Sequence, residues 1–248
     1  MVEIKTREEI KKIKSACDVV REVLEKVEKL VKPGTTTKSI DNFAEDIIIS
    51  RSALPSFKNY KGFPASICTS VNEVVVHGIP GDYKLRAGDV VSIDVGAYKD
   101  GFHGDAARTY LVGDCSESAK KIVEVTRESF FEGIKYANKN FRLSDISHAI
   151  QKHVEENSFA VIRDYFGHGI GRNLHEEPTI PNFGKPNRGI KLRAGMVLAI
   201  EPMVAENSYY VKTLEDGWTV VTVDNGLAAH YENTIAITDN GPEVLTIG

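Results

Sequence analysis

One pentapeptide occurs twice, and it constrains the fold more than any other feature of the chain. Lys84-Leu85-Arg86-Ala87-Gly88 returns as Lys191-Leu192-Arg193-Ala194-Gly195. The register continues past it, with Val90 falling on Val197, Ile93 on Ile200 and Asp94 on Glu201. Upstream, His77-Gly-Ile-Pro80 is echoed by His175-Glu-Glu-Pro178. Self-similarity of this kind marks duplication of a structural unit. Two related halves, about 1–114 and 115–248, are therefore expected to face each other, so that histidines and acids from both meet between them.

Hydrophobic periodicity repeats the same division. Thr6 and Glu9 stand in capping-box spacing, and Ile10, Ile13, Cys17, Val20, Leu24, Val27 and Val31 form one stripe before Pro33-Gly34, predicting a helix over 6–31. Ile40, Phe43, Ala44, Ile47 and Ile48 predict a second over 38–52. Strands are expected at 74–76, 90–97 and 102–112, the last two joined at Asp100-Gly101. Helices at 117–137 and 144–156 then open a second round, followed by strands at 159–166, 196–204, 208–213, 218–223 and 230–238. Helix, helix, strands, twice over, is an α+β pattern.

Of the 248 residues 42% are hydrophobic and 27% charged, which supports an ordinary core and excludes fibrous or disordered classes. Lys and Arg number 31 against 35 Asp and Glu, so no basic field exists to hold a phosphate backbone, and no nucleic-acid substrate is expected. Cys17, Cys68 and Cys115 are widely spaced and spell neither a disulfide framework nor a cysteine zinc site. With no signal-like N-terminus, no glycosylation acceptor and no apolar run of membrane length, the expected location is cytoplasmic, away from any membrane.

The chemistry lies in acids placed on apolar strands. Asp94 ends Val90-Val-Ser-Ile-Asp, and Asp105 lies on the returning strand. A hairpin centred on Lys99-Asp100 sets the two directly opposite, and one centred on Asp100-Gly101 makes them diagonal neighbours. Either register keeps both on one face at ~5–8 Å, where they repel by about 3 kcal/mol at an effective dielectric near 20 and need a cation or a shared proton. Glu201 ends Met196-Val-Leu-Ala-Ile-Glu, and Glu232 is embedded in Tyr231-Glu-Asn-Thr-Ile-Ala-Ile. His168 stands between glycines that let the backbone turn sharply and clear space around the imidazole. Four carboxylates and one imidazole, Asp94, Asp105, His168, Glu201 and Glu232, suit two divalent ions from among Co²⁺, Mn²⁺, Fe²⁺ and Zn²⁺. Such a centre activates a shared water for hydrolysis of a carbonyl or phosphoryl substrate. His103, His148, His153 and His230 read as solvated or structural, His103 having an additional option of supporting Asp105 from the same strand face.

From end to end the chain resembles the short, bacterial type I class of methionine aminopeptidases, members of the two-fold "pita-bread" metallopeptidase superfamily. The strings that carry the resemblance are Cys68-Thr-Ser-Val-Asn-Glu-Val-Val-Val-His77-Gly, Asp94-Val-Gly to Gly104-Asp105, Gly167-His168-Gly-Ile-Gly-Arg-Asn-Leu-His175-Glu-Glu-Pro178, Ile200-Glu201-Pro202 and Tyr231-Glu232. The resemblance implies a single catalytic domain over 1–248, with a curved antiparallel sheet and helices on its outer face. It further implies that Asp105 and Glu232 bridge two ions, that His168 and Glu201 complete one coordination sphere, and that Asp94 chelates the other ion. Glu201 would help deprotonate the attacking water, and His77 and His175 would contact substrate and steady the tetrahedral intermediate. Tyr60, Phe63, Cys68, Leu174 and Trp218 would line the methionine pocket. Phe63 replaces a frequent tyrosine and Leu174 a frequent aromatic, which leaves the pocket apolar.

The implied activity is removal of the initiator methionine from nascent chains whose second residue is small, by a monomer that meets the ribosome transiently. A proline-directed peptidase of the same fold is the nearest rival, although those relatives usually carry an extra N-terminal domain and here the first helix begins near residue 6. A non-enzymatic binding protein of this fold is the rival of a different class.

Overall fold

The two copies of the pentapeptide occupy equivalent places. Leu85 N–H donates to Thr35 O and Leu192 N–H to Phe141 O; Gly88 N–H donates to Val112 O and Gly195 N–H to Ile237 O. Thr36 bridges Lys84 as Arg142 bridges Lys191. The structure, a computed structural model, describes residues 2–247.

Each half opens with two helices, α1 (Arg7–Val27) and α2 (Thr37–Ser50) in the first, α3 (Glu117–Ile134) and α4 (Leu143–Glu156) in the second. Thr6 and Glu9 form the expected capping box, and α1 ends four residues before the predicted limit in a 3₁₀ turn over Glu28–Leu30. In α2 the stripe is rotated from its expected position. Phe43 is 37% exposed, while Asp41 is buried because its Oδ1 accepts the N–H groups of Ser66 and Ile67.

The first half continues through β1 (Leu54–Pro55), β2 (Ile67–Val71), β3 (Val74–Val76), β4 (Val90–Lys99) and β5 (Phe102–Leu111). The second supplies β6 (Ala160–Val161), β7 (Gly167–Gly169), β8 (Glu176–Ile180), β9 (Val197–Ile200), β10 (Met203–Ala205), β11 (Val211–Thr213), β12 (Val220–Thr222), β13 (Ala228–His230), β14 (Asn233–Thr238) and β15 (Gly241–Val244). Every pairing among them is antiparallel. In one sheet β4 carries β5 on one side and both β2 and β1 on the other; in its counterpart the order is β15-β14-β9-β7-β8. The antiparallel pairs β4–β5 and β9–β14 are the equivalent centres of the two halves. One core packs α1 and α2 on the first through Val20, Ile48 and Ile93, and another packs α3 and α4 on the second through Phe130, Ile150 and Leu198.

Three predicted strands are broken, two of them for identifiable reasons. The strand expected over 196–204 divides into β9 and β10 at Glu201-Pro202, where proline has no N–H for the ladder. Opposite it, the strand expected over 230–238 divides into β13 and β14 at Tyr231-Glu232, because the chain there leaves the β10 ladder and joins that of β9. Only Ala160–Val161 survives of the strand expected over 159–166.

The halves are stitched directly beside the acids. Ala107 and Glu232 exchange backbone hydrogen bonds, Thr234 Oγ1 bonds both the N–H and the C=O of Asp105, and Thr109 Oγ1 does the same for His230. Helix α1 lies against this seam at Gly104, where an added Cβ would meet Cys17 N at 2.6 Å and Ala16 C at 2.9 Å. Gly104→Ala is expected to lever α1 off β5 and cost about 1–3 kcal/mol, or roughly 3–10 °C in Tm. Thermal unfolding beside Gly81→Ala, whose added Cβ meets nothing within 4 Å, measures it. Equal melting of the two variants would mean that the helix yields freely.

Candidate metal centre and active site

Backbone register brings the first pair of acids together. The β4–β5 ladder pairs Asp94 with Ala107 and Gly96 with Asp105, so the hairpin is centred on Asp100-Gly101 and the two carboxylates are diagonal neighbours on one face. From the second half, Glu201 and Glu232 sit at the two breaks described above, where the strands change sheets and their side chains leave the ladder inward. Half-buried Arg108 fixes that segment by donating to Glu232 O at 2.6 Å and Asn233 Oδ1 at 2.7 Å, with its guanidinium over the Tyr231 ring.

His168 reaches the acids from β7, a strand interior to its sheet rather than a sharp turn. Its glycines serve close approach instead of turning, since a Cβ on Gly167 would lie 2.5 Å from Ala199 O and one on Gly169 2.2 Å from Glu177 O. The ring Nδ1–H donates to Gly169 O at 2.9 Å, which leaves the Nε2 lone pair facing Glu201 Oε1 at 3.5 Å.

Two clusters result, and they share a member. Ligand atoms of Asp105, His168 and Glu232 lie within 4.8 Å of one another, as do those of Asp94, His230 and Glu232. Asp94 Oδ1, Asp105 Oδ1, Glu232 Oε1 and His230 Nε2 are buried without a hydrogen-bond partner. Burial, and then repulsion from neighbouring carboxylates, raises the pKa values of Asp105, Glu201 and Glu232, and burial lifts Asp94 to about 7. Burial lowers His168 to about 4, so its imidazole is neutral. Packed acids that resist ionisation beside a neutral imidazole, with oxygens left unsatisfied, fit divalent cations.

Beside the acids lies a cavity of about 210 Å³ that all twelve residues singled out in the sequence help to line. Phe63 meets Trp218 edge to face at 5.2 Å, Leu174 is buried, and Cys68, cross-strand from Asp94, has its thiol pKa raised by burial, so this wall is apolar and unreactive. His77, with φ 60°, sets its ring edge-on to Tyr165 and Trp218. His175 lies at the mouth, its Nδ1 2.8 Å from Tyr60 Oη and its ring 4.3 Å from that of His168. Lys5 Nζ pins the next residue, Glu176, at 2.6 Å.

His230, expected to be solvated or structural, is buried, lines the cavity and belongs to one of the clusters. The signal was present as two-residue spacing from Glu232, which on an extended chain places both side chains on one side. Tyr165 and Met203 also line the cavity without having been anticipated. His103, by contrast, is held outside it by Ser56 Oγ, 2.9 Å from its Nδ1.

Comparison with known proteins agrees with this geometry. Residues 11–239 match the model of metallopeptidase family M24. The chain is 56% identical to a methionine aminopeptidase of Clostridium perfringens, covering 100% of this chain and 99% of that one, and 53% identical to methionine aminopeptidase 1 of Bacillus subtilis, covering 99% of each. The crystal structure of methionine aminopeptidase from Thermotoga maritima superposes with a TM-score of 0.98 at 49% identity, over 100% of both chains. Two carboxylate clusters on a duplicated scaffold, and full-length identity at this level, have one explanation: the chain belongs to metallopeptidase family M24.

Proposed function

We propose that residues 1–248 form one catalytic domain that hydrolyses the N-terminal methionine from polypeptides whose second residue is small. The observation that carries this reading is Glu232, shared by two buried ligand clusters at the end of an apolar cavity. Asp105 and Glu232 would bridge two divalent ions, with His168 and Glu201 on one of them and Asp94 on the other. Ions bound there supply Lewis-acid stabilisation of the carbonyl oxygen and lower the pKa of water.

The protein residues do the rest. Phe63, Cys68, Leu174 and Trp218 accept the methionine side chain, with Tyr60 closing the mouth and orienting His175. Glu201, at the edge of the ligand cluster, would take the proton of the attacking water and pass it to the departing amine. His77 and His175 bracket the scissile amide and donate to the oxyanion as it forms. Nascent N-termini in the cytoplasm are the substrates, reached by a monomer through transient contact at the ribosome; the three cysteines are buried free thiols, which accords with a reducing compartment. No described helix is long and apolar enough to cross a membrane.

The test is anaerobic hydrolysis of Met-Ala-Ser beside Ala-Pro-Ala by protein stripped of metal and restored with Fe²⁺, Mn²⁺ or Co²⁺. Metal-dependent release of methionine from the first peptide alone is expected. Cleavage of the second alone would move the chain to proline-directed substrates, and inertness toward both with every ion would leave a binding protein.

A further inference from the structure

Among the described residues of the centre, His230 Nε2 is the imidazole nitrogen buried without a hydrogen-bond partner. The side chain is 2% exposed, and its Nε2 lies 3.8 Å from Glu232 Oε2 and 3.9 Å from Glu201 Oε2. These separations exceed the 2.7–3.2 Å of an N–H···O hydrogen bond. The separation from Glu232 does match the spacing of two atoms bound to one ion: ligands at roughly 2.0–2.2 Å from a common metal stand ~3–4.4 Å apart, depending on the angle between them. The His168 Nε2 to Glu201 Oε1 distance of 3.5 Å falls in the same interval.

The backbone holds the ring in place. Residue 230 is paired with Met203 in β10, and both its N–H and its C=O bond Thr109 Oγ1, at 2.9 and 2.8 Å. His230 Nε2 therefore faces Asp94 and Glu232 from a fixed position, all within 4.8 Å.

We propose that His230 ligates, through Nε2, the ion held by Asp94 and Glu232. The inference rests on the two-ion reading given above and extends it. Each ion then receives one imidazole, His168 on one side of Glu232 and His230 on the other. A nitrogen donor turns an otherwise all-oxygen position toward Co²⁺, Fe²⁺ or Zn²⁺ and away from Mn²⁺.

Metal-free protein titrated with Co²⁺ alone and with Mn²⁺ alone, followed by calorimetry and by the Co²⁺ visible absorption, tests this. The wild type is expected to show two binding steps. In His230→Gln one Co²⁺ step should weaken by about 10–100-fold with a changed absorption for that ion, the Mn²⁺ step should weaken less, and the other step should stay put. His230→Ala should behave alike, and matching thermal unfolding of the metal-free proteins guards against misfolding. Two Co²⁺ steps within twofold of wild type, with an unchanged spectrum, would overturn the role of His230. A wild type that binds a single ion would instead overturn the two-ion reading itself.

Discussion

Glu232→Ala is expected to lose peptide hydrolysis by roughly three powers of ten or more, and to lose it together with tight uptake of a second ion. Glu232 is the member common to both ligand clusters, so no other single side chain touches as much of the centre. Lewis-acid stabilisation of the transition state amounts to several kcal/mol, and each 1.36 kcal/mol is tenfold in rate. The fold should survive, because the backbone of residue 232 is held independently by Ala107 and by Arg108. Single-turnover and steady-state rates on Met-Ala-Ser, with metal content by mass spectrometry, measure the effect. Glu201→Gln keeps an oxygen donor at that position but not the base, so its rate should fall comparably while its metal content falls less than that of Glu232→Ala. A Glu232→Ala protein with two ions and a rate within tenfold of wild type would remove Glu232 from the centre.

What the sequence made legible follows from what a one-dimensional pattern encodes. The duplication alone places Asp94 and Glu201 in equivalent positions, and the alternation of Val91, Ile93 and Val95 puts Asp94 on the opposite strand face. Hairpin register was left between two values because Asp100-Gly101 and Lys99-Asp100 can each close the turn; long-range pairing with Ile67–Val71 on the other edge of β4 accompanies the observed one. The strand breaks at Glu201-Pro202 and Tyr231-Glu232 escaped the pattern for a different reason. Apolar residues continue on both sides of each break, and only the change of sheet interrupts the ladder. The short strand at Gly167–Gly169 leaves no trace in the pattern, since glycine carries no β-signal and its use there is the closeness of neighbouring backbones, and Glu176–Ile180 hides behind Pro178, which breaks the strand signal. For His230 the two-residue spacing from Glu232 is a weak signal, since a histidine beside alanines reads as any buried histidine; its nearness to Asp94 comes from pairing between the halves.

Asp105→Asn is expected to melt above the wild type when both are free of metal at pH 8, and below it when metal is added. The folded pKa of Asp105 is raised, by burial and then by Asp94 and Glu201, so the folded state holds that proton more tightly than the unfolded state. The penalty is absent below the unfolded carboxylate pKa of about 3.9, grows as pH rises toward the folded value, and is full above it. Removing one charge from a diagonal pair ~7–8 Å apart at an effective dielectric near 20 relieves about 2 kcal/mol, or roughly 4–8 °C for a chain of this size. The buried histidines oppose this trend in absolute stability, losing it as pH falls below their usual range, but they are common to both proteins and cancel in the difference. Divalent ions reverse the order, since a ligand at a hundred times its Kd adds about 2.7 kcal/mol to the wild type, which keeps all four carboxylates. Scanning calorimetry at pH 4 and pH 8, with chelator and then with Co²⁺, gives the four comparisons. An Asp105→Asn protein that melts at or below the wild type in chelator at pH 8 would show that the acids are not held against their own repulsion. The crossing, if present, identifies the cluster as a site whose residues were kept for the ion at the expense of the empty fold.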